Sequence, residues 1–558
     1  MIAPTYTNLS NTAHYIMIHI SSFNCSRFEN KPQKSLMLLL IALVVLIPST
    51  FASTTHTASQ WGPEDILFSA DPGSSSPFDI EFSAEFSSNG ESMNVPGFWD
   101  GGNRFVIRFA PPAEGDWSYL TRSTFPDLDG KSGVVKAGPA PVEQRGPIGL
   151  DPKDTRRFNY ADGSRYFPLA FEIDWLFALD AENAEDIPKS RQLIEHVSRN
   201  GFNQVVMNVF AYDVRWPRDP NLPKRYDYGK PKVFPYGGDN SNPDFSTLNV
   251  EYFQHFDRII RELDRKGVAA HLMIYVWNKL VSWPDSDSAA DNRYFDYVVK
   301  RYQAFPNLIW DISKEATGYG HNDMGYITRR IERLRALDGH DRLVTVHAYG
   351  YCSKFPETVD FISVQNWQSE TWHIMREIRK EHPKMAIFNI EHGGYEDGPY
   401  HVFGGNYYRS DVNLERAYHI VFAGAYPTHY WQDTSWNVVI HDIQNLPQSD
   451  QPKLSYYRHL ADLVEKYDLT RLEPSKGKAN SGFCLSNDKD LFVYLVPKEN
   501  DIIIPRLPRE GFTRLGITWF DPFTGTYQEQ APIVMEQWNR IRIPDPGQMK
   551  VMVIRMLP

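Results

Sequence analysis

The stretch Asn249-Val250-Glu251-Tyr252-Phe253-Gln254-His255-Phe256-Asp257-Arg258-Ile259-Ile260-Arg261-Glu262-Leu263-Asp264-Arg265-Lys266-Gly267, running straight into Val268-Ala269-Ala270-His271-Leu272-Met273-Ile274-Tyr275-Val276-Trp277, decides the fold. Phe253, Phe256, Ile260 and Leu263 recur three and four residues apart, the period of a helix with one buried face, and Gly267 ends it. The residues that follow are almost all apolar and read as a buried strand. A helix feeding directly into such a strand is the repeating unit of an α/β fold.

The same rhythm extends in both directions. Strands are predicted over Phe167–Asp174, Asn203–Phe210, Val268–Trp277, Asn307–Glu315, Arg342–Tyr349, Val359–Trp367, Met385–Glu391 and Thr428–Trp431. Further helices are predicted over about 186–200, 291–304, 323–338, 371–382, 412–425 and 453–467. The link between the fifth and sixth strands is short and carries little helix signal. Eight strands alternating with helices over 165–468 predict a (β/α)8 TIM barrel. The alternative is a doubly wound open sheet. That fold usually carries a glycine-rich turn after its first strand, and Phe171-Glu172-Ile173-Asp174-Trp175 holds no glycine.

The flanks read differently. Over 60–140, the runs Phe78–Phe86, Arg104–Phe109 and Trp117–Leu120 are separated by turns such as Asp100-Gly101-Gly102, which predicts an Ig-like β-sandwich. Residues 141–164 read as a linker and barrel entry. Over 469–558 helix signals stop, and Leu491–Leu495, Gly516–Phe520 and Lys550–Ile554 predict a second β-sandwich. Residues 1–52 read as a signal-peptide region. Lys31 and Lys34 precede the apolar run Leu36–Ile47, and small residues follow at Thr50 and Ala52. The run is short for a membrane span, so the expectation is a secreted or periplasmic protein with no stable membrane association after cleavage; an uncleaved anchor is the alternative. Translation starting at Met17 or Met37 would shorten the long stretch before it.

The chain has 558 residues and a net charge of −11, which argues against nucleic acid as a partner. Its 14 Trp, 30 Tyr and 33 Phe serve a large core and also suit stacking on sugar rings. Cys25, Cys352 and Cys484 form no metal-type cluster; Cys352 and Cys484 are expected to be free, buried thiols. No metal site and no cofactor are expected.

In a barrel the site lies at the C-terminal ends of the strands. Two of those ends are carboxylates: Glu315 closes Ile309-Trp310-Asp311-Ile312-Ser313-Lys314-Glu315, and Glu391 closes Ile387-Phe388-Asn389-Ile390-Glu391 ahead of His392-Gly393-Gly394. They fall on the fourth and seventh predicted strands, across the mouth from one another. Two carboxylates facing one cleft are what glycosidic bond cleavage requires, with retention at about 5–5.5 Å and inversion at about 6.5–9.5 Å, a choice spacing in sequence leaves open. The other strand ends supply substrate-binding candidates: Asp174, Trp175, Asn208, Trp277, Asn278, His347, Tyr349, Gln365, Trp367, His392 and Trp431. Glu396 is the alternative carboxylate. A carbohydrate is therefore the expected partner, and the non-enzymatic alternative is a carbohydrate-binding protein.

The chain resembles the apiosidase-like branch of the clan A glycoside hydrolases. Val95-Pro96-Gly97-Phe98-Trp99-Asp100-Gly101-Gly102 and Gly115-Asp116-Trp117-Ser118-Tyr119 resemble its N-terminal sandwich of unassigned function. Phe158–Gly163 running into Tyr166–Leu169 resembles its barrel entry. Ile309–Glu315 and Phe388–Gly394 resemble its catalytic strands, and Trp519–Gly525 resembles a C-terminal collagen-binding-type β domain. The resemblance implies retaining hydrolysis with Glu315 as acid/base, Glu391 as nucleophile, Trp431 stacked under the reacting sugar, and His347, Tyr349 and Gln365 in support. One position departs from the pattern. The clan usually has Asn directly before the acid/base, on the substrate 2-hydroxyl, and this chain has Lys314. Lys314 either contacts an acidic group or points away from the pocket.

Overall fold

The computed structural model describes residues 54–182, 185–395, 398–402, 407–475 and 477–558. The export segment read over 1–52, Cys25 within it and the alternative carboxylate Glu396 lie outside the described residues. Among those residues no helix is long and apolar enough to cross a membrane.

Eight parallel strands form a nearly closed barrel: β1 (Ala170–Glu172), β2 (Gln204–Asn208), β3 (Ala269–Val276), β4 (Leu308–Lys314), β5 (Val344–His347), β6 (Ile362–Gln365), β7 (Ile387–Glu391) and β8 (Tyr426–Trp431). β8 pairs with β1, which closes the ring on that side. The seam lies between β5 and β6, which share no backbone ladder. Side chains bridge it instead: Thr345 Oγ1 donates to the Phe361 carbonyl at 3.0 Å and lies 3.0 Å from Ser363 Oγ. The weak helix signal at this link has its counterpart here, where only a single helical turn (Tyr349–Cys352) and a 3₁₀ turn (Pro356–Thr358) connect the strands. Cys352 and Cys484 are free and buried.

The barrel floor is stopped by a small antiparallel sheet of Ile148–Asp151, Asp154–Tyr160 and Arg165–Tyr166, where the sequence reads as linker. Ile148, Phe158 and Tyr166 join Val206, Met273 and Phe388 in one buried cluster. With the bottom plugged, the barrel itself opens at its C-terminal mouth.

Before the barrel, a five-stranded and a three-stranded sheet close on Phe86, Phe109 and Trp117, with Phe86 stacked on Phe109 at 3.8 Å. The strand read from Phe78 begins at Phe82, because Pro77–Asp79 forms a 3₁₀ turn. After the barrel come a six-stranded and a two-stranded sheet, held against it by Phe483 stacked on Trp372 at 4.4 Å.

The N-terminal sheets dock through a buried ion cluster. Arg108, on strand Arg104–Phe109, reaches Asp65 at 2.6 Å and Asp257 of helix Val250–Arg265 at 2.9 Å. Arg301 binds the same Asp257 at 2.8 Å. Burial pushes the Asp257 carboxyl up, but the two guanidinium groups outweigh it and hold it at about 2. Replacing Arg108 by Ala leaves Asp257 to Arg301 alone and cuts the tie to the N-terminal sheet, which is expected to cost about 1.5–3 kcal/mol in denaturant unfolding. The ion cluster's own contribution is complete above the unfolded aspartate value of about 3.9 and is lost as pH falls through about 2. Unfolding unchanged in the Arg108→Ala protein would remove the cluster from the docking account.

Candidate active site

Strand alternation alone would not assemble the mouth. In β4, Ile309 and Asp311 point into the barrel, where Asp311 meets His271 at 3.1 Å. Strict alternation would send Lys314 outward. The pairing with β5 slips by one residue between Asp311/Thr345 and Lys314/His347. This bulge turns Lys314 inward. Glu315 then adopts a left-handed backbone (φ 55°), a conformation that costs a side chain about 1–2 kcal/mol and swings this carboxylate to the mouth as well. β7 uses the same device. Val364 pairs with Asn389 but Gln365 pairs with Glu391, so Ile390 is an extra residue and Glu391 faces the mouth. Gly393 (φ 123°) and Gly394 follow it, and a Cβ on Gly394 would collide with the Tyr407 ring.

One amide spans the two carboxylates. Gln365 Nε2 donates to Glu315 Oε1 at 3.1 Å and to Glu391 Oε2 at 2.9 Å. Both bonds share one nitrogen, so these two oxygens lie no more than about 6 Å apart, the sum of the two lengths, nearer the retaining than the inverting spacing. Glu315 is half-buried and Glu391 is buried. The other oxygen of Glu391 lies 2.8 Å from Lys314 Nζ and 3.4 Å from His347 Nε2. Burial pushes the Glu391 carboxyl up, but the Lys314 ammonium and His347 outweigh it and hold the group well below the usual carboxylate range.

Lys314 therefore points into the pocket. It also donates to Glu172 and lies 3.5 Å from Asp174. Asp174 in turn pairs with Lys279 at 2.9 Å, whose ammonium sits 4.1 Å from the centre of the Trp436 ring. All four charged side chains are buried. Burial, with Glu391 and Asp174 alongside, pushes the Glu172 carboxyl well up despite Lys314. Sequence reading missed Glu172, Lys279, Tyr430 and Trp436. Glu172 had a signal: two residues before Asp174 on one strand, it shares that residue's face.

The remaining candidates divide. Asn208 is buried and donates to the Asp174 carbonyl at 3.3 Å. Trp367 is half-buried and meets Tyr430 edge-on at 5.9 Å. Asn278 lies at the rim beside Tyr319. Trp277 stacks on His321 at 3.8 Å and lies parallel to Tyr275, so protein already occupies its ring contacts. Trp175 is fully buried in the main core.

Three residues are not brought to the carboxylates. Tyr349 turns its hydroxyl to Glu381, at 2.7 Å. His392 is buried away from the Glu315–Glu391 pair, and burial with Arg416 alongside holds its imidazole well below the ordinary value. Trp431 is fully buried with its indole nitrogen facing Gly398; alternation along β8 places Tyr430 inward instead, with Lys314 Nζ 5.5 Å from its ring centre.

Residues 152–470 match the family described as apiosidase-like, catalytic domain. The chain belongs to the apiosidase-like family. Residues 57–124 of this apiosidase-like chain match a domain of unknown function (DUF5060). A Bacteroides vulgatus ATCC 8482 protein described as a "putative glycoside hydrolase" is 20% identical, covering 90% of this chain and 100% of that chain, with a TM-score of 0.74. A glycoside hydrolase family 5 protein from the same organism is 15% identical, covering 74% and 93%, with a TM-score of 0.56. Both share the fold. No curated protein matches the chain. With its family's catalytic domain spanning the barrel, the apiosidase-like protein is a glycoside hydrolase.

Proposed function

We propose that this glycoside hydrolase is exported and cleaves an O-glycosidic bond of an oligosaccharide or polysaccharide with retention of configuration, Glu391 acting as nucleophile and Glu315 as acid/base. The observation that carries the reading is the Gln365 amide shared by both carboxylates, which keeps them close enough for one to attack the anomeric carbon while the other reaches the leaving oxygen. The environments divide the roles. Glu391 is buried beside a lysine and is held ionised, as a nucleophile must be. Glu315 is half-buried on the turn after β4, open to the leaving group and to water.

In the first step Glu315 gives its proton to the glycosidic oxygen. The bond from that oxygen to the anomeric carbon breaks as a Glu391 oxygen bonds to the same carbon from the opposite face. In the second, the Glu315 carboxylate takes a proton from water, whose oxygen displaces Glu391. Export is supported by the basic residues, short apolar run and small residues of the first 52 positions. The family's name makes apiosides the first substrates to try, alongside aryl pentosides and hexosides.

The test is the anomer formed first. Proton NMR during hydrolysis is expected to show the substrate's own configuration before mutarotation, and a 2-fluoro glycoside is expected to label Glu391 in peptide mapping. First appearance of the opposite anomer would end the retaining assignment.

A further inference from the structure

Lys314 is the residue whose sequence position and structural surroundings disagree most. The family resemblance places a substrate-contacting asparagine there, yet the ion-pair partners of this ammonium are carboxyl groups of the protein. The ammonium donates to Glu172 and lies 2.8 Å from Glu391 Oε1 and 3.5 Å from Asp174, and the Tyr430 ring centre lies 5.5 Å away. The side chain is 2% exposed, so a sugar hydroxyl could reach it only by displacing one of these partners. Lys314 touches Glu391 Oε1, while Gln365 and the Glu315 side of the cleft meet Oε2.

We propose that Lys314 is a positioning residue for the nucleophile: it pins Oε1 of Glu391 so that Oε2 faces the anomeric carbon, and its charge keeps that carboxylate ionised at acid pH. This rests on Glu391 being the nucleophile. The titratable and charged groups around this ammonium come from several neighbouring elements. Glu172 and Asp174 come from the end of β1, Lys279 from the loop after β3, Glu315 from the turn after β4, His347 from β5 and Tyr430 from β8. Lys279 cannot replace Lys314, because its ammonium is committed to Asp174 at 2.9 Å and the Ser435 carbonyl at 2.9 Å. Glu172 is the balancing group. Burial and its two acidic neighbours favour its protonated form, and with that proton in place two ammonium groups face two buried carboxylates, Asp174 and Glu391.

The sign of the pH effect follows. Glu391 works as a carboxylate, and an adjacent cation lowers the pH at which it takes up a proton. Without that cation the proton is taken up at higher pH, so the acid limb of kcat/KM moves upward. The experiment compares wild type with Lys314→Met and with Lys314→Met/Glu172→Gln, whose second change fixes the buried Glu172 position in a neutral form and keeps the test usable if the single variant does not fold. On the aryl glycoside that wild type hydrolyses fastest, the variants are expected to lose about 10- to 100-fold in kcat, to keep KM within about threefold, and to shift the acid limb up by about 1–3 pH units. A second readout needs no turnover: ¹³C titration of carboxyl-labelled glutamate, with the Glu391 signal assigned by its loss in Glu391→Gln, is expected to show that carboxyl titrating higher in both variants. If wild type hydrolyses no glycoside, the proposed function fails, and the carboxyl titration still decides whether Lys314 keeps Glu391 ionised. An unmoved acid limb and an unmoved Glu391 titration would overturn it, and so would a raised KM at unchanged kcat, which would make Lys314 a substrate contact.

Discussion

Replacing Glu391 by Gln is expected to lower kcat/KM by roughly 10⁴-fold or more without unfolding the barrel. The substitution keeps size and one carbonyl oxygen, so one of the two donors at this carboxylate, Gln365 or Lys314, keeps its acceptor while the other faces the new amide NH2. What is lost is the negative charge that attacks the anomeric carbon and faces the positive charge developing there. Because Glu391 is 2% exposed, water does not readily take its place in the wild-type geometry. The shortened Glu391→Ala variant leaves a space beside Gln365, and millimolar azide is expected to restore part of the rate and give the glycosyl azide of opposite configuration. Wild-type-like turnover by a cooperatively folded Glu391→Gln protein would remove Glu391 from the chemistry.

The second large effect depends on the leaving group. In Glu315→Gln the proton donor is gone, so glycosides with poor leaving groups are expected to lose about 10²- to 10⁴-fold. A dinitrophenyl glycoside needs no proton and is expected to form the glycosyl-enzyme at near wild-type speed. Breakdown of that intermediate is then slow, because no base activates water, and a burst of released phenol is expected. The measurement is the slope of log kcat/KM against leaving-group acidity across a series of aryl glycosides. A slope as shallow as that of wild type, with uniform loss across the series, would mean that Glu315 only holds Gln365 in place.

These predictions rest on two residues legible from the chain alone, and the reason is local. Strand-length apolar runs that stop at Glu315 and Glu391 need no partner to be recognised, and the barrel follows from eight such runs alternating with amphipathic helices. The weak fifth connection was visible in the same way, as a missing helical period, and it is where the ring lacks a backbone ladder. Strand ends themselves were a blunter guide. Trp431, Tyr349 and His392 occupy them as Glu391 does, yet they face the core or other partners.

Periodicity determined which segments are strands, their order and the two carboxylates at the ends of the fourth and seventh. Only the tertiary structure decided which way those ends face. A single extra residue in β4 and another in β7 reverse the alternation just before Lys314 and Glu391, and such slips exist only relative to a neighbouring strand. The partner of Lys314 was hidden for a related reason. Glu172 lies 142 residues earlier, and closing the ring is what brings β1 and β4 within reach of one ammonium group.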